Sequence, residues 1–325
     1  ILERIINHFE EFIKRGEYID FVIVCGDITN SGKKWEFERA QKFFSRLKES
    51  LGITKEKFIF IPGNHDYNRE DTGTSFKYVD EREINLNTYN EIFNSSDFKG
   101  HIHKSFKNFN SFLRSFYGSV PPLKTHLKSF EIEEISVNIA VLNSCLANTI
   151  GREKISPYIN TDDIGYLEEL RKDKENFNLF IMHHPITYLY VENRHQIDRI
   201  LMDYCDLFIS GHEHIPDFFE KSVSEYHYIT ITNGCSFLRN EQNKEKNLKR
   251  FFIIRFDKSD GILEINPWST REGMSHFGRD TLFHRSAQED GKIEYVIKRF
   301  QDTPSKKNLK DPLEDVDAKR LEDFY

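Results

Sequence analysis

Four apolar runs in this chain end alike, each breaking into residues suited to holding metals or moving protons. VIVC runs into GDITNSG (26–32), FIFIP into GNHD (63–66), NLFI into MHHP (182–185) and DLFIS into GHEH (211–214). A short apolar run bounded by turn formers reads as a strand buried on both faces. Four such strands point to a sheet-centred α/β fold, and in such folds chemistry collects at the carboxyl ends of strands.

The intervening segments fit that frame. Residues 2–15 carry Leu2, Ile5, Ile6, Phe9 and Ile13 at helical spacing, with Gly16 as a stop. Residues 34–50 form a second amphipathic pattern between two strands, which predicts a crossover unit with parallel strands. Residues 70–120 read as a helical insertion beside the mouth of the site, with helices near 83–94 and 103–117 and aromatics that form a small core of their own. Strands are expected at 125–133 and 136–143, and helices near 162–174 and 195–204. From 226 the pattern is mostly strand, with SDG (259–261) as a hairpin turn and 292–300 as a last edge strand. One domain over 1–300 is expected, then a polar linker or tail over 301–325.

The 325 residues are 38% hydrophobic and 30% charged, enough for a sizeable core in a water-soluble chain. No apolar run approaches the roughly 18 residues of a membrane helix, and no secretory signal is visible. A net charge of −7 argues against a broadly basic nucleic-acid surface. The local basic stretches 244–250 and 306–310 read as solvated loops. Cys25, Cys145, Cys205 and Cys235 show no CxxC spacing and read as small buried hydrophobes of a reducing, cytoplasmic compartment.

Imidazole, carboxylate and amide oxygen together suit zinc, manganese or iron. Two such ions can share a carboxylate and lower the pKa of a bound water to about 7, so that hydroxide attacks phosphorus at neutral pH. A neighbouring imidazole then donates to the phosphate or the leaving oxygen. In GNHD, Asn64 offers an oxygen ligand without added negative charge, His65 is placed as donor, and Asp66 is expected to orient the His65 ring.

The ordered set GDITNSG, GNHD, MHHP and GHEH resembles the calcineurin-like metallophosphoesterase superfamily over about residues 1–300. The resemblance implies a four-layer α/β/β/α sandwich, two mixed sheets flanked by helices. It implies two divalent metal ions, manganese first, with iron or zinc as alternatives. By similarity Asp27 bridges both ions, Asn64, His183 and His212 complete one site, and His214 belongs to the other. His65 becomes the catalytic donor with Asp66 as partner, and His184 lies beside the substrate.

The family normally opens with a strand ending in Asp-x-His, which gives two ligands to the second ion. Nothing precedes Ile1 here, so that strand is expected upstream of the sequence; the alternative is a degenerate second site. GNHDYNR, ending in Asn68 and Arg69, resembles a bacterial subgroup in which this domain heads larger proteins, some of them in antiviral defence. Arg69 would then contact a substrate phosphate.

The function implied is a metal-dependent phosphoesterase. The expected form is a phosphodiesterase cleaving a nucleotide or nucleic-acid linkage by metal-bound hydroxide, without a membrane partner. The alternative is a catalytically weak sensing or interaction module of a larger assembly, with a downstream domain or a homo-oligomer as partner.

Overall fold

The apolar runs become strands because β-branched and aromatic residues alternate between two faces that are both covered. A computed structural model describes residues 1–68, 85–149, 155–213, 216–223, 226–232, 249–270, 273–281 and 289–301. The first half holds α1 (Leu2–Lys14), β1 (Val22–Cys25), α2 (Lys34–Leu51), β2 (Phe58–Ile61), α3 (Leu86–Asn94), α4 (Ser96–Ser105), α5 (Lys107–Tyr117), β3 (His126–Ile132) and β4 (Ile135–Leu142). Then follow β5 (Asn176–Met182), α6 (Val191–Tyr204), β6 (Leu207–Ser210), β7 (Asp217–Val223), β8 (Tyr226–Thr232), β9 (Lys249–Asp257), β10 (Ile262–Thr270), β11 (Gly278–Arg279) and β12 (Ile293–Val296).

Six strands make one mixed sheet in the order β3–β4–β5–β6–β8–β7, with its central strands parallel and both edges antiparallel. Alternate residues separate its two faces. Ile139, Val141, Leu179, Ile181, Leu207, Ile209, Ile229 and Ile231 face inward and meet Ile59 and Ile61 of β2 and Leu263 and Ile265 of β10. Ala140, Leu142, Phe180, Met182 and Phe208 face outward onto Ile197 and Leu201 of α6. The opposing layer comprises the parallel pair β1–β2 and an antiparallel group in which β9 lines one edge of β10 and β11 and β12 share the other. Helices α1 and α2 cover that layer, so the architecture is the four-layer sandwich of the calcineurin-like fold.

Between β1 and β9 the opposing layer is open. Each of these strands has a ladder partner on one edge only among the described residues. Both line a cavity of about 2110 Å³, roofed by Ile5 of α1 and floored by Leu179 and Ile209 of the six-stranded sheet. All four residues of β1 stay half-buried, whereas all four of β2 are buried. An unpaired, apolar strand edge is a site that natural sheets cover, and here it runs toward Asp27, His183 and His212.

Several expectations are corrected. The helix near 162–174 is two short 3₁₀ turns, Thr161–Asp163 and Gly165–Glu169. Ile164, Leu167 and Leu170 recur every third residue, the 3₁₀ period, and only the first two are fully buried. The insertion aromatics do not form a separate core. Phe112 of α5 packs on Phe37, Phe44 and Phe60 with ring centroids 5.7, 6.2 and 5.1 Å away, which joins the insertion to α2 and β2. Within the basic stretch 244–250, Lys249 and Arg250 lie buried in β9, and Arg250 pairs with buried Asp280 at 2.5 Å; 244–248 lie outside the described residues, as do 306–310. β7 was not expected from the sequence. Cys25, Cys145 and Cys205 are free thiols, two of them buried, and Cys235 lies outside the described residues.

Helix α1 docks through an aromatic cluster around His8, whose ring lies 4.4 Å from Trp268 and 5.2 Å from Phe251. Burial lowers the His8 pKa to about 4. A base held below its unfolded value near 6.5 contributes stability above that pH and loses it as pH falls toward 4. The expected outcome is that His8→Phe loses less melting temperature than the wild type between pH 7 and 4.5, measured by thermal scanning. Equal losses would show that His8 is not part of the acid limb.

Candidate metal centre

The site is built by backbone turns that only particular residues tolerate. After β1 the chain reverses through Gly26 at φ 85° and Asp27 at φ 53°, and after β6 His212 sits at φ 65°. Non-glycine residues held in this left-handed region cost energy and mark places where surrounding structure imposes the geometry. Gly63 allows the two loops to meet, because a Cβ there would fall on the Asp27 carboxylate.

His183 is the centre of the arrangement. Its Nδ1–H donates to the Cys25 carbonyl at 2.7 Å, which places the proton on Nδ1 and leaves Nε2 as a lone pair. Burial lowers the His183 pKa and keeps the ring neutral, the form that ligates metals. Nε2 faces Asn64 Oδ1 at 3.0 Å, Asp27 Oδ1 at 3.5 Å and His212 Nδ1 at 3.3 Å. Nε2 and the Asn64 amide oxygen carry no proton, so they repel each other unless a cation lies between them. Asp27, His183 and His212 also converge within 4.8 Å by their ligand atoms. The nitrogen and oxygen donors fit a borderline divalent ion held by Asp27, Asn64, His183 and His212.

His65 stands at the rim, exposed. Its backbone N–H donates to Asp27 Oδ1 at 3.0 Å, and its ring Nδ1 bonds the Asn30 carbonyl at 2.9 Å. Asp66 does not orient that ring. It is buried beneath the loop, where it accepts from the amides of Gly63 (2.8 Å), Thr29 (2.8 Å) and Ile28 (3.2 Å) and from the Thr29 hydroxyl at 3.0 Å. Burial and the neighbouring Asp27 push the Asp66 carboxyl up to about 7, against those amides. Its role is to clasp the GDITN and GNHD loops together. Helices α4 and α5 brace them from outside through Asn68 N to Ser105 O at 3.0 Å and Asn108 Nδ2 to Gly32 O at 2.8 Å.

His184 is corrected from substrate neighbour to buried support, with 1% of its surface exposed. Ser144 Oγ accepts its backbone N–H at 3.3 Å and meets its ring Nδ1 at 2.8 Å, and Cys145 Sγ lies 3.9 Å from the same atom. Cys145, His183 and His184 also lie close enough to hold an ion, but burial raises the Cys145 pKa well above its usual value and disfavours the thiolate. His214 and Arg69 lie outside the described residues. Sequence reasoning missed the Cys25 and Asn30 carbonyls and Ser144. Backbone carbonyls leave no mark in a sequence, and Ser144 lies in no motif.

The sequence profile of the calcineurin-like phosphoesterase family matches residues 1–216, and this chain belongs to that family. It is 24% identical over 326 aligned positions to the metallophosphoesterase-like protein YydB of Bacillus subtilis (strain 168). That alignment covers 98% of this chain and 64% of YydB, so the chain spans less than two thirds of that relative's length. The family membership supports metal-dependent hydrolysis of phosphoric esters. Among the described residues no helix is long and apolar enough to cross a membrane.

Two variants test the centre without any assay of turnover. Asn64→Ala removes one converging oxygen, and Gly63→Ala displaces Asp27. Each is expected to weaken manganese binding in calorimetric titration at least about tenfold, by comparison with the 10–100-fold effect of removing groups that merely orient ligands. Unchanged affinity in both would place the ion elsewhere.

Proposed function

We propose that this chain is a phosphodiesterase acting on a nucleotide or nucleic-acid linkage, with manganese as its metal and His65 as proton donor. The observation that carries the reading is the convergence of His183 Nε2, Asn64 Oδ1 and Asp27 Oδ1 beside His65. Divalent cations held there supply an activated water at neutral pH and offset the charge of the phosphate oxygens. Asn64 does this without adding a carboxylate that would repel an anionic substrate.

The Asn30 carbonyl holds the Nδ1–H of His65, so a proton arrives at and leaves from Nε2. The same carbonyl fixes the ring orientation from which a proton on Nε2 passes to a departing oxygen. Asp27, set at its strained φ by the Gly26 turn, faces both the described ligands and the open end of the cavity between β1 and β9. In this reading Asp27 and His214 would help to hold a second ion on that side. An extended strand in the cavity would bring its carboxyl end beside Asp27, where the resemblance places Asp-x-His. Arg69 remains part of the proposal as a phosphate contact.

The assay is hydrolysis of bis-p-nitrophenyl phosphate with added manganese. His65→Ala is expected to lower kcat by about 10²–10⁴ with metal content unchanged by elemental analysis. Loss of metal in this variant, or unchanged turnover, would remove His65 from the donor role.

A further inference from the structure

A second cavity, of about 380 Å³, opens on the outer face of the six-stranded sheet, beside the 3₁₀ turn Ile186–Tyr188. Strand register explains its character. Phe208, Thr230 and Phe219 form one cross-strand row, and Ser210, Thr232 and Asp217 form the next. Farther along this face α6 covers apolar side chains. At this corner the face turns to hydroxyls and a carboxylate, and no described helix lies over it.

Two features point to a ligand. Thr230 is 3% exposed, yet its Oγ1 has no hydrogen-bond partner, and the residue lines the cavity. A buried hydroxyl without a partner is costly unless something brings one. Across the cavity mouth stand two large rings that ordinary packing would hide, Tyr188 at 42% and Phe219 at 41% exposed. The rim is acidic: Glu213 accepts from the Tyr188 hydroxyl, and Asp217 stands in the outer row. Such a rim repels phosphate and admits a neutral group. The Tyr188 ring centroid is 5.1 Å from that of His212, so the cavity begins next to the metal centre.

We infer that this cavity binds the nucleobase of a nucleotide ester whose phosphate lies on the metal centre. The base enters between Tyr188 and Phe219, and one of its polar edge atoms meets Thr230 Oγ1. The inference rests on the phosphoesterase reading of the neighbouring centre and adds to it where the organic part of the substrate goes. Specificity then arises on the sheet face, through aromatic stacking and one buried hydroxyl, while the acidic rim keeps the charged end on the cations.

The test compares thymidine 5′-(p-nitrophenyl phosphate) with methyl p-nitrophenyl phosphate, both with manganese. The two share a leaving group and differ only in the nucleoside. Phe219→Ala is expected to raise KM for the thymidine ester about tenfold, with its kcat and the methyl ester unchanged. Thr230→Val should raise the same KM severalfold while keeping side-chain volume. Equal KM for both esters in the wild type, or no KM change in either variant, overturns the inference. If the wild type cleaves neither ester, the phosphoesterase reading fails first, and thymidine itself is titrated calorimetrically. Thymidine binding that Phe219→Ala abolishes then upholds the cavity assignment, and no binding overturns it.

Discussion

One hydrogen bond ties the two strand layers to the chemistry between them: the His183 Nδ1–H on the Cys25 carbonyl. The partners are 158 residues apart, one at the end of β5 and the other at the end of β1. The bond spans the layers, places the ring proton on Nδ1 and aims Nε2 at Asn64 and Asp27. The apolar core between the sheets sets the distance it must span. Gly26 and Gly63 let the loops approach closely enough, since a Cβ on either would strike His183 or Asp27. Stability and site geometry are therefore coupled at this point, and the left-handed turns at Asp27 and His212 are held by the surrounding structure.

The opposing layer shows the same coupling from the other side. β2 is fully buried and forms a firm edge, whereas β1 is half-buried with its free edge on the cavity shared with β9. The acid sensitivity assigned to His8 lies in the helix that roofs this gap. Thus α1 and β1 line the same cavity as Asp27, and their packing depends on what fills it.

Much of this was legible in the sequence. The four motif-bearing strands and the β1–α2–β2 crossover follow from apolar runs and turn formers, and so does the gathering of Asp27, Asn64, His183 and His212; the edge strand expected over 292–300 is a strand only at Ile293–Val296 and ends in a 3₁₀ turn, Lys298–Phe300. What failed did so for physical reasons. Ile164, Leu167 and Leu170 imitate a helix because an i, i+3 step places neighbours on one face in the α-helix as well as in the 3₁₀ turn. The aromatics of residues 70–120 were assigned a core of their own because their packing against Phe37 and Phe60 is long-range and leaves no local pattern. Asp66 was read as a partner for the adjacent His65, but its carboxylate turns down onto backbone amides 37 and 38 residues away. His184 looked accessible beside His183, yet the strand end buries it against Ser144.

The most direct measurement is the anomalous diffraction of manganese in crystals of the protein. An ion is expected within ligation distance of His183 Nε2, Asn64 Oδ1, Asp27 and His212, with His65 next to it but not bound to it. An ion seated on Cys145 and His184, or manganese bound only at the surface carboxylates, would contradict it.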